Sequence, residues 1–166
     1  VGSEMCIRDS ATATGYYQQK WLDPSIDPQS EGWNMGKDWV VIRYAEVLLT
    51  YAEAMNELHP LSAESFDAVN QVRRRVGMPD LQNTDPSKPT YCATQDELRK
   101  RIQNEWRVEF AFEDHRFWDV RRWKIADTTQ RELYGVKIEK QADGTFNFYK
   151  NLYETRNWRD CMYLYP

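Results

Sequence analysis

Apolar residues recur at helical spacing in two neighbouring segments, which a short proline-containing connection separates. Over residues 38–58 (DWVVIRYAEVLLTYAEAMNEL) the apolar positions cover more than half of a helical circumference, while the polar positions fit one narrower arc. Over residues 63–76 the apolar stripe is narrow and consists of Phe66, Val69, Val72 and Val76. The pattern predicts an antiparallel helical hairpin, with the apolar arc of its first helix almost wholly buried between two layers.

Helix start and stop signals stand around these two segments. Pro60 ends the first helix, and Ser62 is suited to cap the N-terminus of the second. Gly77 suits the left-handed position that follows a helix, and Pro79 prevents its continuation. The hairpin spans residues 38–76, near the roughly 34-residue length of a tetratricopeptide repeat. The sequence therefore predicts one tetratricopeptide-like hairpin, with no second copy at that period.

A third helical pattern follows a polar loop. Thr94 and Glu97 form a T-x-x-E capping box, and apolar residues then recur every four positions at Leu98, Ile102, Trp106 and Phe110. This predicts a long helix that begins at Gln95. The pattern leaves two alternatives open: the helix runs unbroken to Trp123, or it bends near Asp114.

The hydrophobic period changes to two after residue 127. The segments GVKIEK and GTFNFYK alternate in polarity, and QADG lies between them, so that its Asp-Gly pair predicts a hairpin turn. Near the start of the chain, residues 14–22 (TGYYQQKWL) predict a strand. The predicted fold class is α+β, mostly α: a tetratricopeptide-like helical hairpin plus a long third helix, with short peripheral strands.

Composition excludes several classes of protein. The 166 residues suffice for one domain, and the 41% apolar content, with 7 Trp, 10 Tyr and 6 Phe, argues against disorder. The net charge of -4 differs from the basic surface typical of nucleic-acid binders. No apolar run reaches the roughly 18 residues that a membrane-spanning helix needs. The three cysteines are far apart, without a CxxC pair or a metal-ligand spacing.

The opening decapeptide VGSEMCIRDS fits none of the structural patterns around it. It resembles translated sequencing-adapter sequence, so we expect residues 1–10 to be non-native or disordered and leave them out of the fold prediction. We expect residues 11–166 to form a single partial domain that is truncated at both ends.

Acidic, arginine and aromatic residues alternate in NEWRVEFAFEDHRFWDVRRW, residues 104–123. Glu105, Glu109 and Glu113 are spaced by four, which places them in one stripe beside the apolar face of the third helix. One interpretation is the carboxylate pair of a helical glycoside hydrolase, and the other is an ion-pair network that stabilises the scaffold. The network is favoured because each acid has a cation nearby in sequence. Its candidate members are Arg43, Arg73, Glu105, Glu109, Glu113, Arg116, Asp119 and Arg122.

The sequence contains no other catalytic signal. His59 and His115 are far apart, and no H-E-x-x-H, G-x-S-x-G, Walker or dinucleotide motif occurs. We therefore predict no catalytic residue, no metal site and no cofactor. Trp21 and Trp33 fall in the predicted strand and loop, so they are the candidate ligand-binding residues that would stack on sugar rings. Packing is the competing interpretation for both.

Three blocks of this sequence together resemble the SusD/RagB family. They are WVVIRYAEVLLTYAEAMNE, AVNQVRRRVGMP and ELRKRIQNEWRVEFAFEDHRFWDVRRWK, in the family's order and at suitable spacing. The segments TGYY and MYLYP are also similar to the family's flanking elements, so the resemblance covers most of residues 14–166. Two positions depart from the pattern: Trp106 stands where the family usually has arginine, and Asp114 where it usually has glycine.

The resemblance implies a binding protein and not an enzyme. SusD/RagB proteins are outer-membrane nutrient-binding lipoproteins of Bacteroidetes that capture glycans or other nutrients at the cell surface and pass them to a SusC-like TonB-dependent transporter. It also implies a location on the outer surface of the outer membrane, through a lipid anchor for which Cys6 is not the attachment site. Ligand contacts are expected mostly upstream of this chain, and no nucleic acid is expected as a partner.

Two other functions compete with this interpretation. An intracellular tetratricopeptide-like adaptor for protein ligands is the first, and a helical glycoside hydrolase is the second. A lipobox signal in the full gene, next to a transporter gene, would favour the surface lipoprotein. A cytosolic context with further 34-residue repeats would favour the adaptor.

Overall fold

The computed structural model describes residues 40–163 together with Thr14, Tyr16 and Lys20. This part of the chain contains helices and one two-stranded antiparallel sheet, which confirms the predicted α+β class with helices dominant. Residues 1–10 and six of the nine residues of the strand predicted at 14–22 lie outside the described residues. The elements are α1 (Tyr44–Leu58), α2 (Ala63–Arg75), α3 (Gln95–Glu109), α4 (His115–Arg122), α5 (Ala126–Thr129), β1 (Glu132–Lys140), β2 (Phe146–Thr155) and a 3-10 helix (Asp160–Tyr163).

The chain divides into two compact units. Residues 38–116 form one of them, the helical unit, which contains α1, α2 and α3. Residues 1–37 and 117–166 form the other, the hairpin unit, which contains α5, the sheet and the 3-10 helix. The single domain expected for residues 11–166 stays a prediction.

Helix α1 begins at Tyr44, later than the predicted start at residue 38. Arg43 is extended, with φ -136° and ψ 158°. The three residues before it are the β-branched Val40, Val41 and Ile42, and β-branched side chains lower helix propensity because they restrict χ1. The apolar periodicity of the sequence alone therefore overestimated the length of α1 by one to two turns.

The apolar arc of α1 is only partly buried, so the prediction of almost complete burial is wrong for the described structure. Leu49 and Ala52 are fully buried, whereas Tyr44, Val47 and Tyr51 are 69%, 54% and 48% exposed. Helix α1 packs against α2 and α3, and this packing covers one part of a wide arc. The remainder forms one wall of a groove between α1 and α2.

Helix α2 has the caps that the sequence predicts. The Ser62 hydroxyl accepts a hydrogen bond from the Ser65 amide at 3.2 Å, and Gly77 has a φ of 72° in the left-handed region. The Ser65 hydroxyl donates to the Ala52 carbonyl at 2.7 Å, which joins the two helices of the hairpin. The four-residue connection and this contact fix α1 and α2 as packed neighbours.

Helix α3 ends at Glu109, which decides between the two alternatives in favour of a break. Phe112 and Asp114 both have a φ of 62°, and a new helix begins at His115. Left-handed backbone interrupts the i to i-4 hydrogen-bond ladder, so one continuous helix is excluded. At the other end, Thr94 accepts from the Glu97 amide as a capping box requires, while the Glu97 carboxylate accepts from the amide of Ala93.

The predicted Asp-Gly hairpin is confirmed and is longer than its sequence signal. Strand β1 pairs antiparallel with β2 from Glu132–Thr155 to Lys140–Phe146, with an irregularity after Leu133. In the turn, Gly144 has a φ of 85° and its amide donates to the Gln141 carbonyl at 3.0 Å. The left-handed backbone at this position explains the glycine.

Candidate functional site

The stripe of acidic residues on and just after α3 forms an arginine–carboxylate cluster in the helical unit. Helix α3 carries Glu105 and Glu109 on the side that meets the hairpin of α1 and α2, and the break after α3 places Glu113 beside them. The side chains of these three acids are only 10%, 8% and 7% exposed. Carboxylates this well buried require compensating cations and hydrogen bonds.

Arg43 is the centre of the cluster. Its guanidinium donates to both carboxylate oxygens of Glu113, at 2.8 and 3.0 Å, and to the Glu109 carboxylate and carbonyl. The guanidinium also lies over the ring of Phe110, 4.1 Å from its centroid. Partial burial alone would lower the pKa of Arg43, but the hydrogen bonds that it donates to Glu113 and Glu109 raise the pKa above its usual value. Arg43 thus joins the start of α1 to the end of α3.

Arginines of α2 hold the other side of the acidic stripe. Arg73 Nη1 lies 2.7 Å from Glu105 Oε2, and the Arg73 side chain is 11% exposed. Arg73 Nε also donates to the Pro79 carbonyl at 2.9 Å. Arg75 donates to both oxygens of Glu109 at 2.8 Å, although its own side chain is 59% exposed. The pair of Arg73 with Glu105 is therefore the more buried of the two.

The remaining predicted members fall elsewhere. Asp119 and Arg122 belong to the hairpin unit, where Arg122 Nε donates to Asp119 Oδ1 at 2.9 Å within α4. Arg116 lies in the first turn of α4, and Arg43, which directly precedes α1, donates to Glu113. Trp21 and Trp33, the candidate ligand-binding residues, lie outside the described residues.

Several buried polar residues that the sequence pattern missed reinforce the helical unit. The Asn56 amide donates to the Gln95 carbonyl at 3.1 Å, and the Gln95 side chain returns a bond to the Asn56 carbonyl at 2.8 Å. Asn70 both donates to the carbonyl and accepts from the amide of Leu81, at 2.9 and 2.8 Å. Asparagine is common in exposed turns as well as in such clamps, so its identity alone did not reveal these contacts.

The geometry of the cluster favours a structural over a catalytic role. A general acid or base must reach a substrate proton, yet guanidinium groups occupy the three acids and little of their surface is exposed. His115 packs on Trp106 and Phe110, and its Nε2 lies 3.9 Å from Glu46 Oε2. Among the described residues, no group of three or more metal-type side chains converges on one point. The chemistry that this arrangement supplies is electrostatic attachment of α3 to α1 and α2.

Helices of the described part are all too short or too polar to cross a membrane.

Two curated proteins from one organism are similar in sequence to this chain. The chain is 36% identical over 106 residues to SusD-like protein P2 of Formosa agariphila, and 31% identical over 124 residues to SusD-like protein P38 of the same organism. These alignments cover 64% and 75% of this chain but 20% and 23% of the relatives. The chain therefore spans about a fifth of the length of these curated relatives.

A solved structure shows the same similarity. The crystal structure of a SusD-like protein from Bacteroides fragilis superimposes with a TM-score of 0.62 at 41% sequence identity, over 75% of this chain and 22% of that one. In addition, the model of the SusD family matches residues 1–166. The sequence, the fold and the family match agree, and this chain belongs to the SusD family.

Proposed function

We propose that this chain is part of a cell-surface nutrient-binding lipoprotein that binds glycans and delivers them to a SusC-like TonB-dependent transporter. The observation that carries the proposal is the family match over residues 1–166. The relatives are named SusD-like proteins, and the proposed location is the outer surface of the outer membrane, through a lipid anchor. Delivery to a transporter is a binding function, so no catalytic step is part of the proposal.

The arginine–carboxylate cluster supports separate roles for two sets of residues in such a protein, one that stabilises the fold and one that binds the ligand. Its acids are paired and mostly buried, so we propose that they hold the scaffold and do not contact the ligand. Trp21 and Trp33 are the proposed aromatic contacts on this chain, because a flat indole ring can stack on the apolar face of a sugar.

Calorimetric titration of the full-length protein with a panel of soluble glycans tests the proposal. We expect saturable binding of at least one glycan, and no product after an overnight incubation. The affinity for the glycan should fall in Trp21→Ala or Trp33→Ala. In Glu109→Gln, the molecules that still fold should bind the glycan with unchanged affinity. If the unmodified protein cleaves a glycan and Glu109→Gln does not, the protein is a glycoside hydrolase and the proposal of a binding protein is wrong.

The transporter partnership needs its own experiment. A tagged full-length protein, expressed in a Bacteroidetes host with the transporter encoded beside it, should copurify with that transporter from detergent-solubilised outer membranes. Proteinase added to intact cells should remove the protein, because it is exposed at the outer surface. Protection from proteinase in intact cells, with recovery in the cytosolic fraction, would support the intracellular adaptor in its place.

A further inference from the structure

A polar cleft of about 610 Å³ opens in the hairpin unit. It is lined on one side by residues of α5 and the start of β1 and on the other by the segment after β2. The lining residues are Asp127, Thr128, Arg131, Glu132, Arg156, Asn157 and Trp158. The Arg156 amide donates to the Arg131 carbonyl at 2.7 Å, which fixes the two walls to each other at the base of the sheet. The position of the cleft is therefore set by backbone pairing and not by side chains alone.

The charges that line the polar cleft balance. It contains the two cations Arg131 and Arg156 and the two anions Asp127 and Glu132. A cleft with a net basic or acidic lining would favour a charged ligand, and this one has no such bias. Its chemistry suits a neutral ligand that both donates and accepts hydrogen bonds.

Much of the hydrogen-bonding capacity in the polar cleft is unused. The guanidinium of Arg131 and the side-chain amide of Asn157 make no hydrogen bond within the described structure. One oxygen of Asp127 accepts from the Tyr163 hydroxyl at 3.1 Å, and Arg156 is held by Glu154 at 3.0 Å. These bonds use only part of the donor and acceptor capacity of the two groups.

The indole of Trp158 completes the wall. Its ring packs edge-on against Tyr163 with centroids 5.2 Å apart, and the guanidinium carbon of Arg121 lies 5.3 Å from the ring. The indole N–H and the Arg121 Nε are buried and have no acceptor among the described residues. Buried donors without a partner are uncommon in folded proteins, and of these two residues Trp158 belongs to the lining of the cleft.

We infer that the polar cleft binds sugar hydroxyls, as a subsite for a neutral oligosaccharide. Each hydroxyl of a sugar donates one hydrogen bond and accepts others, which matches a lining of amide, guanidinium and carboxylate groups with balanced charge. Arg131 and Asn157 are the expected principal contacts, because the fold does not use their side chains. The inference rests on the proposed function and adds a ligand site on this chain to it.

Two variants test the subsite in the full-length protein. We expect Arg131→Ala to weaken the affinity for a neutral oligosaccharide about tenfold, and Arg131→Ala with Asn157→Ala to weaken it further, since each hydrogen bond to a charged group contributes about one to two powers of ten. Arg107→Ala is the matched control, because Arg107 is an exposed arginine on α3 outside the cleft. Its affinity should stay within about twofold of the unmodified protein at the same melting temperature.

Calorimetric titration separates the possible outcomes. The neutral ligands are maltoheptaose, xylohexaose, mannohexaose and laminarihexaose, and one polygalacturonic oligosaccharide is the anionic comparison. Binding of a neutral glycan that falls in the double variant, and not in Arg107→Ala, supports the subsite. Neutral binding that the double variant leaves unchanged overturns the subsite while the proposed function stands. Binding of the anionic oligosaccharide alone also overturns the subsite and leaves the proposed function standing. Absence of all binding overturns both.

Discussion

Replacement of Glu105 by alanine should destabilise the helical unit more than any single change to an exposed ion pair. The Glu105 carboxylate lies 2.7 Å from Arg73 Nη1, and the two side chains are only 10% and 11% exposed. The substitution leaves the Arg73 guanidinium in place, with the Pro79 carbonyl as its remaining hydrogen-bond acceptor in the described structure. A buried cation then loses the charge that compensates for its desolvation.

The magnitude follows from the burial of this pair. Removal of one member of a buried pair costs about 3–5 kcal/mol, because the other charge is left uncompensated. Because both side chains keep about a tenth of their surface in contact with water, we expect the lower end of that range, about 3 kcal/mol. An exposed pair contributes only about 0–1 kcal/mol, since water and salt screen it.

Asp80→Ala provides the matched control, because its partner Arg74 lies in α2 as Arg73 does. Arg74, next to Arg73 in the sequence, donates to Asp80, and their side chains are 53% and 41% exposed. Urea denaturation followed by far-ultraviolet circular dichroism gives the free energy of unfolding of each variant. With a slope of about 1–3 kcal/mol per molar urea, Glu105→Ala should lower the midpoint by about 1 M or more. Asp80→Ala should lower it by a few tenths of that.

A double variant distinguishes the unpaired charge from lost packing. Arg73→Leu with Glu105→Leu removes both charges and retains apolar volume, and such replacements are often close to neutral. We therefore expect the double variant to recover most of the stability that Glu105→Ala loses. Equal losses of stability in Glu105→Ala and Asp80→Ala would refute the assignment of a buried, compensating pair. A double variant that is no more stable than Glu105→Ala would refute it as well.

Three further outcomes are expected. Gly135→Ala should abolish amide-exchange protection at Val136, whose N–H donates to the Thr14 carbonyl, because an added Cβ would lie 2.6 Å from that carbonyl oxygen; retained protection would contradict this packing. Hydrogen bonding from Arg99 lowers the pKa of Glu57, so the stabilisation is present above the unfolded-state pKa and is lost as the pH falls through the folded-state pKa. Glu57→Gln should accordingly cost up to about 1 kcal/mol at pH 7 and nothing in strong acid, and a cost that persists in acid would exclude the ionic mechanism. Burial raises the pKa of the Cys92 thiol, so this thiol should react with Ellman's reagent only after denaturation, and rapid labelling of native protein at Cys92 would show that the site opens.

Local sequence signals predicted the features that depend on neighbours within a few residues. The Ser62 cap, the left-handed Gly77, the Thr94 cap and the turn glycine Gly144 all appear as the residue types require. Each of these depends on backbone conformation and on hydrogen bonds over at most four positions, so the amino acid at one site carries the information. The cations that lie near each acid in the sequence likewise predicted that an ion-pair network would form, but they did not predict its pairing.

Only the tertiary structure showed which arginine pairs with which carboxylate. Arg43 meets Glu109 and Glu113 from 66 and 70 positions away, and several arginines were equally suitable partners by sequence spacing. The extent of burial of α1 had the same origin, because a wide apolar arc shows which positions can be covered but not which elements cover them. The sequence thus determined the helices, their caps, the hairpin and the family, since these follow from local chemistry and short-range patterns. The partner of each buried charge and the exposed part of the α1 arc were decided only when the helices packed, because desolvation and Coulomb energies depend on distances between segments that are remote in the chain.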